Sequence, residues 1–137
     1  MTTEREQIRI TFLDAWLKQQ QGAPLDALER QLVDCINAHP EYHADFNDRQ
    51  KVLHADFRTD NNPFLHLSLH HALREQIRLD RPAGITAVYE TLCRTRGDCH
   101  QVEHLMMDVM ATLLWEAERS NQLADQAKYL EQLRQLL

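Results

Sequence analysis

Apolar residues recur at intervals of three and four along most of the chain and never alternate strictly with polar ones, so the pattern predicts helices and no strands. Ile8, Phe12, Ala15 and Trp16 mark a first helix that ends near Gln21, ahead of Gly22 and Pro24, and Thr3 with Glu6 makes a capping-box pattern at its start. A second helix over about 25–38 places Leu28, Leu32, Cys35 and Ile36 on one stripe, which requires a partner helix, and the short connection predicts antiparallel pairing. Pro40 opens a short helical segment through Glu41, Tyr42 and His43, followed by another over about 48–54. Residues 58–62 are polar and aperiodic, which marks a loop.

Asn62 as cap with Pro63 at the first helical position starts a helix that runs to about Leu79. Beyond the break at Asp80-Arg81-Pro82, a helix over about 83–96 carries Ile85, Val88, Tyr89 and Leu92 and stops at Gly97. Asp98 and Gln101 open the longest helix, to about Arg119, whose stripe of Val102, Leu105, Met106, Val109, Leu113 and Ala117 is widened by Met107, Met110 and Leu114. A turn over 120–124 precedes a last helix capped by Asp125, with Tyr129, Leu130, Leu133, Leu136 and Leu137 on its apolar side. The expectation is an all-α bundle of six or seven helices with a long central helix, forming one domain over 1–137.

Composition agrees with a soluble helical domain: 137 residues, 43% hydrophobic and 26% charged, with three Gly and four Pro. A net charge of −6 argues against nucleic acid and against an anionic membrane surface as partners. Glu4, Arg5, Glu6, Arg9, Asp14 and Lys18 leave no apolar leader segment, and no stretch approaches the ~18 apolar residues that span a bilayer. Cys35, Cys93 and Cys99 form an odd set with neither a disulfide framework nor a CxxC pair, so a reducing cytoplasm is the expected setting.

The candidate chemistry lies in the histidines. Six of the eight fall into three pairs at one spacing, His39/His43, His66/His70 and His100/His104, where random placement would give fewer than one such pair. On a helix, i and i+4 stack on one face, close enough to grip one metal ion. His66 and His70 head a stripe continued by Leu73 and Ile77, and a buried imidazole needs a partner for each ring nitrogen. His100 and His104 continue to Asp108 on a face that Ala111 and Trp115 extend, so Trp115 predicts a second buried face. His39 is placed to cap the segment that follows, a purely structural role. His54 and His71 look unpaired. Cys99, at the start of the longest helix, is placed where a thiolate is stabilised.

The strings Asn62-Pro63-Phe64-Leu65-His66-Leu67-Ser68-Leu69-His70 and His39-Pro40-Glu41-Tyr42-His43, with the His100 to Asp108 segment, resemble the proteobacterial domain-of-unknown-function family 1841 over nearly the whole chain. That resemblance implies a small bacterial cytoplasmic protein and no assigned activity. A looser likeness is to hemerythrin-like bundles, which use HxxxE, HxxxH and HxxxxD patterns. His71/Glu75 and His100/His104 fit the first two, whereas His104 and Asp108 stand at HxxxD spacing. No adjacent His-Asp pair supports a phosphohydrolase of that type.

Together, the residues predict a histidine-rich helical protein that holds one or two transition-metal ions, iron or zinc, for oxygen, redox or metal handling. His39, His43, His66, His70, His100, His104 and Asp108 are the expected ligands. The alternative is a non-catalytic interaction module with structural histidines, which forms a homodimer or binds a protein partner through apolar residues such as Trp16, Leu130, Leu133, Leu136 and Leu137. No glycine-rich phosphate loop or nucleophile elbow names a reaction.

Overall fold

The start of the second helix shows how local chemistry sets the elements: the Asp26 carboxylate accepts from the Glu29 backbone N–H at 2.8 Å, while Glu29 reaches back to the Asp26 N–H at 3.0 Å. Such signals recur in the computed structural model, which describes residues 4–54 and 62–137 apart from the side chains of Arg5 and His54. The helices are α1 (Glu4–Gln20), α2 (Ala27–Asn37), α3 (His43–Phe46), α4 (Arg49–His54), α5 (Pro63–Leu79), α6 (Ile85–Arg96), α7 (Cys99–Arg119) and α8 (Gln126–Arg134), with a 3-10 turn at Pro40–Tyr42. The protein is all-α, and no strand occurs among the described residues. The short α3 and α4 raise the helix count above the six or seven expected. The Thr3 cap and positions 58–61 of the expected loop lie outside the described residues.

The chain forms two compact units, Met1–His71 and Ala72–Leu137, with the boundary inside α5. In the first, α1 packs on α2 and α4. Its core joins Phe12, Leu13 and Trp16 of α1, Leu32, Val33, Cys35 and Ile36 of α2, Phe46, Val52, Phe64 and Leu67. The rings of Phe46 and Phe64 meet edge to face with centroids 5.4 Å apart. Trp16 is buried here, so it is unavailable to the partner surface expected of it. Leu28, expected on the buried stripe of α2, is 49% exposed. The turn of α2 that Leu32, Val33 and Ile36 bring against α1 leaves it at the rim.

In the second unit α6, α7 and α8 pack on one another, burying Ile85, Val88 and Leu92 against Val102, Met106, Met110, Tyr129 and Leu133. Asp80 ends α5 in a left-handed conformation, and its carboxylate accepts from the N–H groups of Gly84 and Thr86 at 3.1 Å each. These bonds hold the Asp80 carboxyl below the usual carboxylate range. Gly97, at φ 82°, closes α6 where a side chain would be strained. The second buried face expected from Trp115 is not present: the ring is 58% exposed, with the Arg119 guanidinium 4.6 Å from its centroid. One turn along, Arg119 supplies a cation–π cover that keeps the indole at the surface.

Candidate metal centre

Pro40 determines where His39 goes. A residue that precedes proline is driven out of the helical region, and His39 sits at φ −127°, ψ 73°, immediately after α2. Its ring turns back over the helix end, where carbonyl groups lack intrahelical donors. Nδ1–H donates to the Cys35 carbonyl at 2.7 Å. A carbonyl can only accept, so the proton is on Nδ1 and Nε2 presents a lone pair. His39 is 1% exposed and stands at the cap position of the next turn without capping it by its side chain. The expected N-cap role is thus replaced by a bond to the C-terminus of α2.

His66 and His70 are carried by α5, which Asn62 caps through bonds from the N–H groups of Phe64 at 3.0 Å and Leu65 at 3.3 Å. One turn apart, they share a face, with ring centroids 5.8 Å apart. His66 Nε2 lies 2.9 Å from His39 Nε2, and the His39 centroid is 4.6 Å from that of His66 and 5.0 Å from that of His70. His70 is fully buried and His66 half-buried.

Each of the three rings offers one nitrogen, and these atoms lie within 4.8 Å of one another. Nitrogens that share one ion at 2.0–2.1 Å in a tetrahedron stand about 3.4 Å apart, a value between the 2.9 Å of the His39 and His66 pair and the 4.8 Å limit of the group. Tyr42 walls the cluster, stacked on His39 at 5.4 Å and edge-on to His66 at 5.9 Å. Burial, with smaller effects from Glu41 and Asp45, pushes its phenol up, so it stays protonated at neutral pH.

His43, the remaining expected ligand of this unit, is engaged at the end of α2 instead. His43 donates from Nε2 to the Ile36 carbonyl at 3.0 Å, and its ring packs on Trp16 with centroids 4.8 Å apart. His39 and His43 therefore both close the C-terminus of α2. On α7, His100 and His104 meet edge-on at 4.3 Å, both half-buried. Asp108, a turn further on, is exposed, and its backbone carbonyl accepts from the Thr112 hydroxyl at 2.9 Å. His71 donates from Nε2 to Gln31 at 3.0 Å, which corrects its reading as unpaired, and the His54 side chain is outside the described residues.

Three features escaped the sequence reading. Glu103, buried on α7, accepts from Arg74 Nε at 2.8 Å and from the Tyr89 hydroxyl at 3.0 Å. An acid within the apolar run from Val102 to Met107 was the available signal. Tyr42 beside the imidazoles was the second. The third is a disulfide between Cys93 and Cys99, which corrects the expectation of a chain without one. The turn at Gly97-Asp98 brings their Cα atoms to 4.9 Å, a closeness that the spacing of six residues does not announce.

Fold and site together define a helical protein with a cluster of histidines able to hold a metal ion. The chain belongs to the DUF1841 family, described as a domain of unknown function, whose model matches residues 4–135. No curated protein and no solved structure matches it. Among the described residues, no helix is long and apolar enough to cross a membrane.

Proposed function

We propose that the protein binds one transition-metal ion through His39, His66 and His70, iron or zinc being the class of ion that imidazole donors suit. The observation that carries this reading is the pair of Nε2 atoms 2.9 Å apart, with the tautomer of His39 fixed by the Cys35 carbonyl so that its lone pair points at its neighbour. A hydrogen bond donated by the far ring nitrogen to a backbone carbonyl is how ligating imidazoles are commonly oriented, and it raises their basicity. His66 must present the same kind of lone pair, so binding shifts the proton on His66 to Nδ1. The role is metal handling, or oxygen or redox chemistry at an ion that keeps one position open.

Elemental analysis of untagged protein, followed by chelator competition with Zn(II) and Fe(II), tests the reading. About one ion per chain is expected, lost in His39→Ala, His66→Ala and His70→Ala and retained in His43→Ala. Substoichiometric metal that none of these variants changes would overturn it.

A further inference from the structure

The disulfide between Cys93 and Cys99 joins the end of α6 to the first residue of α7. The turn between them is already fixed by other means. Gly97 takes the left-handed conformation that ends α6, and its N–H donates to the Cys93 carbonyl at 2.9 Å. The Asp98 carboxylate caps α7 through bonds from the N–H groups of His100 at 3.1 Å and Gln101 at 3.2 Å. The buried side chains of Ile85, Val88, Leu92, Val102 and Met106 hold the two helices in place. A bond that closes a loop of six residues also removes less chain entropy from the unfolded state than one that closes a longer loop. The junction therefore has means of holding its shape besides the cross-link.

Access distinguishes the two sulfurs. Cys99 is exposed, whereas Cys93 is half-buried on α6. The remaining cysteine, Cys35, lies in the core of the other unit. Surface disulfides that carry little structural duty are the reducible ones.

We propose that Cys93 and Cys99 form a reversible dithiol–disulfide pair that exchanges with low-molecular-weight thiols and disulfides, with Cys99 as the exchanging sulfur and Cys93 as the resolving one. In the oxidising direction the Cys99 thiolate attacks one sulfur of a small disulfide. The S–S bond of that molecule breaks, and a thiolate leaves and takes a proton from water. The Cys93 thiolate then attacks the Cys99 sulfur of the mixed disulfide and expels the second small thiolate, which is protonated in turn. Two electrons pass from the cysteine pair to the small disulfide, which becomes two thiols, and the reverse sequence reduces the pair.

The test equilibrates the full chain in buffers of reduced and oxidised glutathione and reads the thiol state by alkylation and mass spectrometry, with circular dichroism on the same samples. One reversible transition confined to Cys93 and Cys99 is expected, with the helical signal and a cooperative melt kept in both states. Cys93→Ser should accumulate a glutathione adduct on Cys99, and Cys99→Ser should form its Cys93 adduct at least tenfold more slowly. Reduction only on unfolding would overturn the proposal and make the bond a staple. A pair that never oxidises, or equal adduct rates at the two cysteines, would overturn it as well. None of these readouts depends on the metal.

Discussion

The two units bury polar groups in opposite ways. In the second, Glu103 is set against a cation and a donor of its own, Arg74 at 2.8 Å and the Tyr89 hydroxyl at 3.0 Å. A carboxylate so matched has part of its lost hydration restored by charge and hydrogen bonding. In the first, His39, His66 and His70 are three bases of one kind, which meet through their ring nitrogens, with one ring locked by a backbone carbonyl. An acid facing its own base is a structural solution. Several like bases turned toward one another are what supports the proposal of an added cation. Burial alone thus says little about function, and the makeup of the buried group says more.

The largest effect expected from this contrast is on metal affinity. If the proposed site holds a metal, His66→Ala or His70→Ala should weaken binding by about a hundredfold or more, since loss of even a supporting partner commonly costs about 10–100-fold. Competition against a chromophoric chelator measures it, and unchanged affinity would make the two regions alike, both structural. Next is Glu103→Ala, which leaves Arg74 beside a half-buried gap and should cost about 3 kcal/mol in urea unfolding. A cost under about 0.5 kcal/mol would place this network with surface ion pairs and erase the contrast from the other side.

A smaller effect tests the same network by pH. Burial, then the charge of Glu103 and the hydrogen bond to it, pushes the Tyr89 phenol up to about 12, from 10.0. Below pH 10 the phenol is protonated in both folded and unfolded chains, and its contribution is fully present. Between about pH 10 and 12 the unfolded chain loses this proton first, so stability falls as pH rises. Tyr129, raised by burial, adds to the decline in the same direction. Tyr89→Phe should cost about 1 kcal/mol at pH 8 and flatten the alkaline slope. A slope identical to that of the parent protein would show that Glu103 does not hold the phenol.

What the sequence revealed, and what it withheld, follows the range of the interactions. Asn62-Pro63, Asp98 and Asp125 mark helix starts correctly because a cap is settled within three residues. The shared face of His66 and His70 is likewise a property of one helix. The meeting of His39 with His66, 27 residues away, is settled by how α2 and α5 pack, and no local spacing encodes it. His43 shows the same limit from the other side. The i to i+4 rule assumes a continuous helix between the pair, but a 3-10 turn intervenes, so its ring bonds to Ile36 instead. Glu103 was passed over because pattern reading weighs apolar positions, and its partners lie on α5 and α6.

The two tryptophans carry the comparison to its smallest expected effect. Trp16 of α1 is 5% exposed among Phe46 and His43, whereas Trp115 of α7 is 58% exposed beneath Arg119. Periodicity alone predicts burial for both, since each follows an apolar or small residue at helical spacing. If Trp115 closed a buried face, Trp115→Ala would cost about 3–5 kcal/mol. An exposed indole with a cation over it is worth only about 0.5–1 kcal/mol, and that is the loss expected. Fluorescence separates the same alternatives without unfolding the protein. Removing Trp115 leaves the buried Trp16 as the remaining indole, so the emission maximum should move to shorter wavelength. A shift to longer wavelength would mean that Trp115 is the sheltered ring, and the α7 face with His100, His104 and Asp108 would then be a buried one after all.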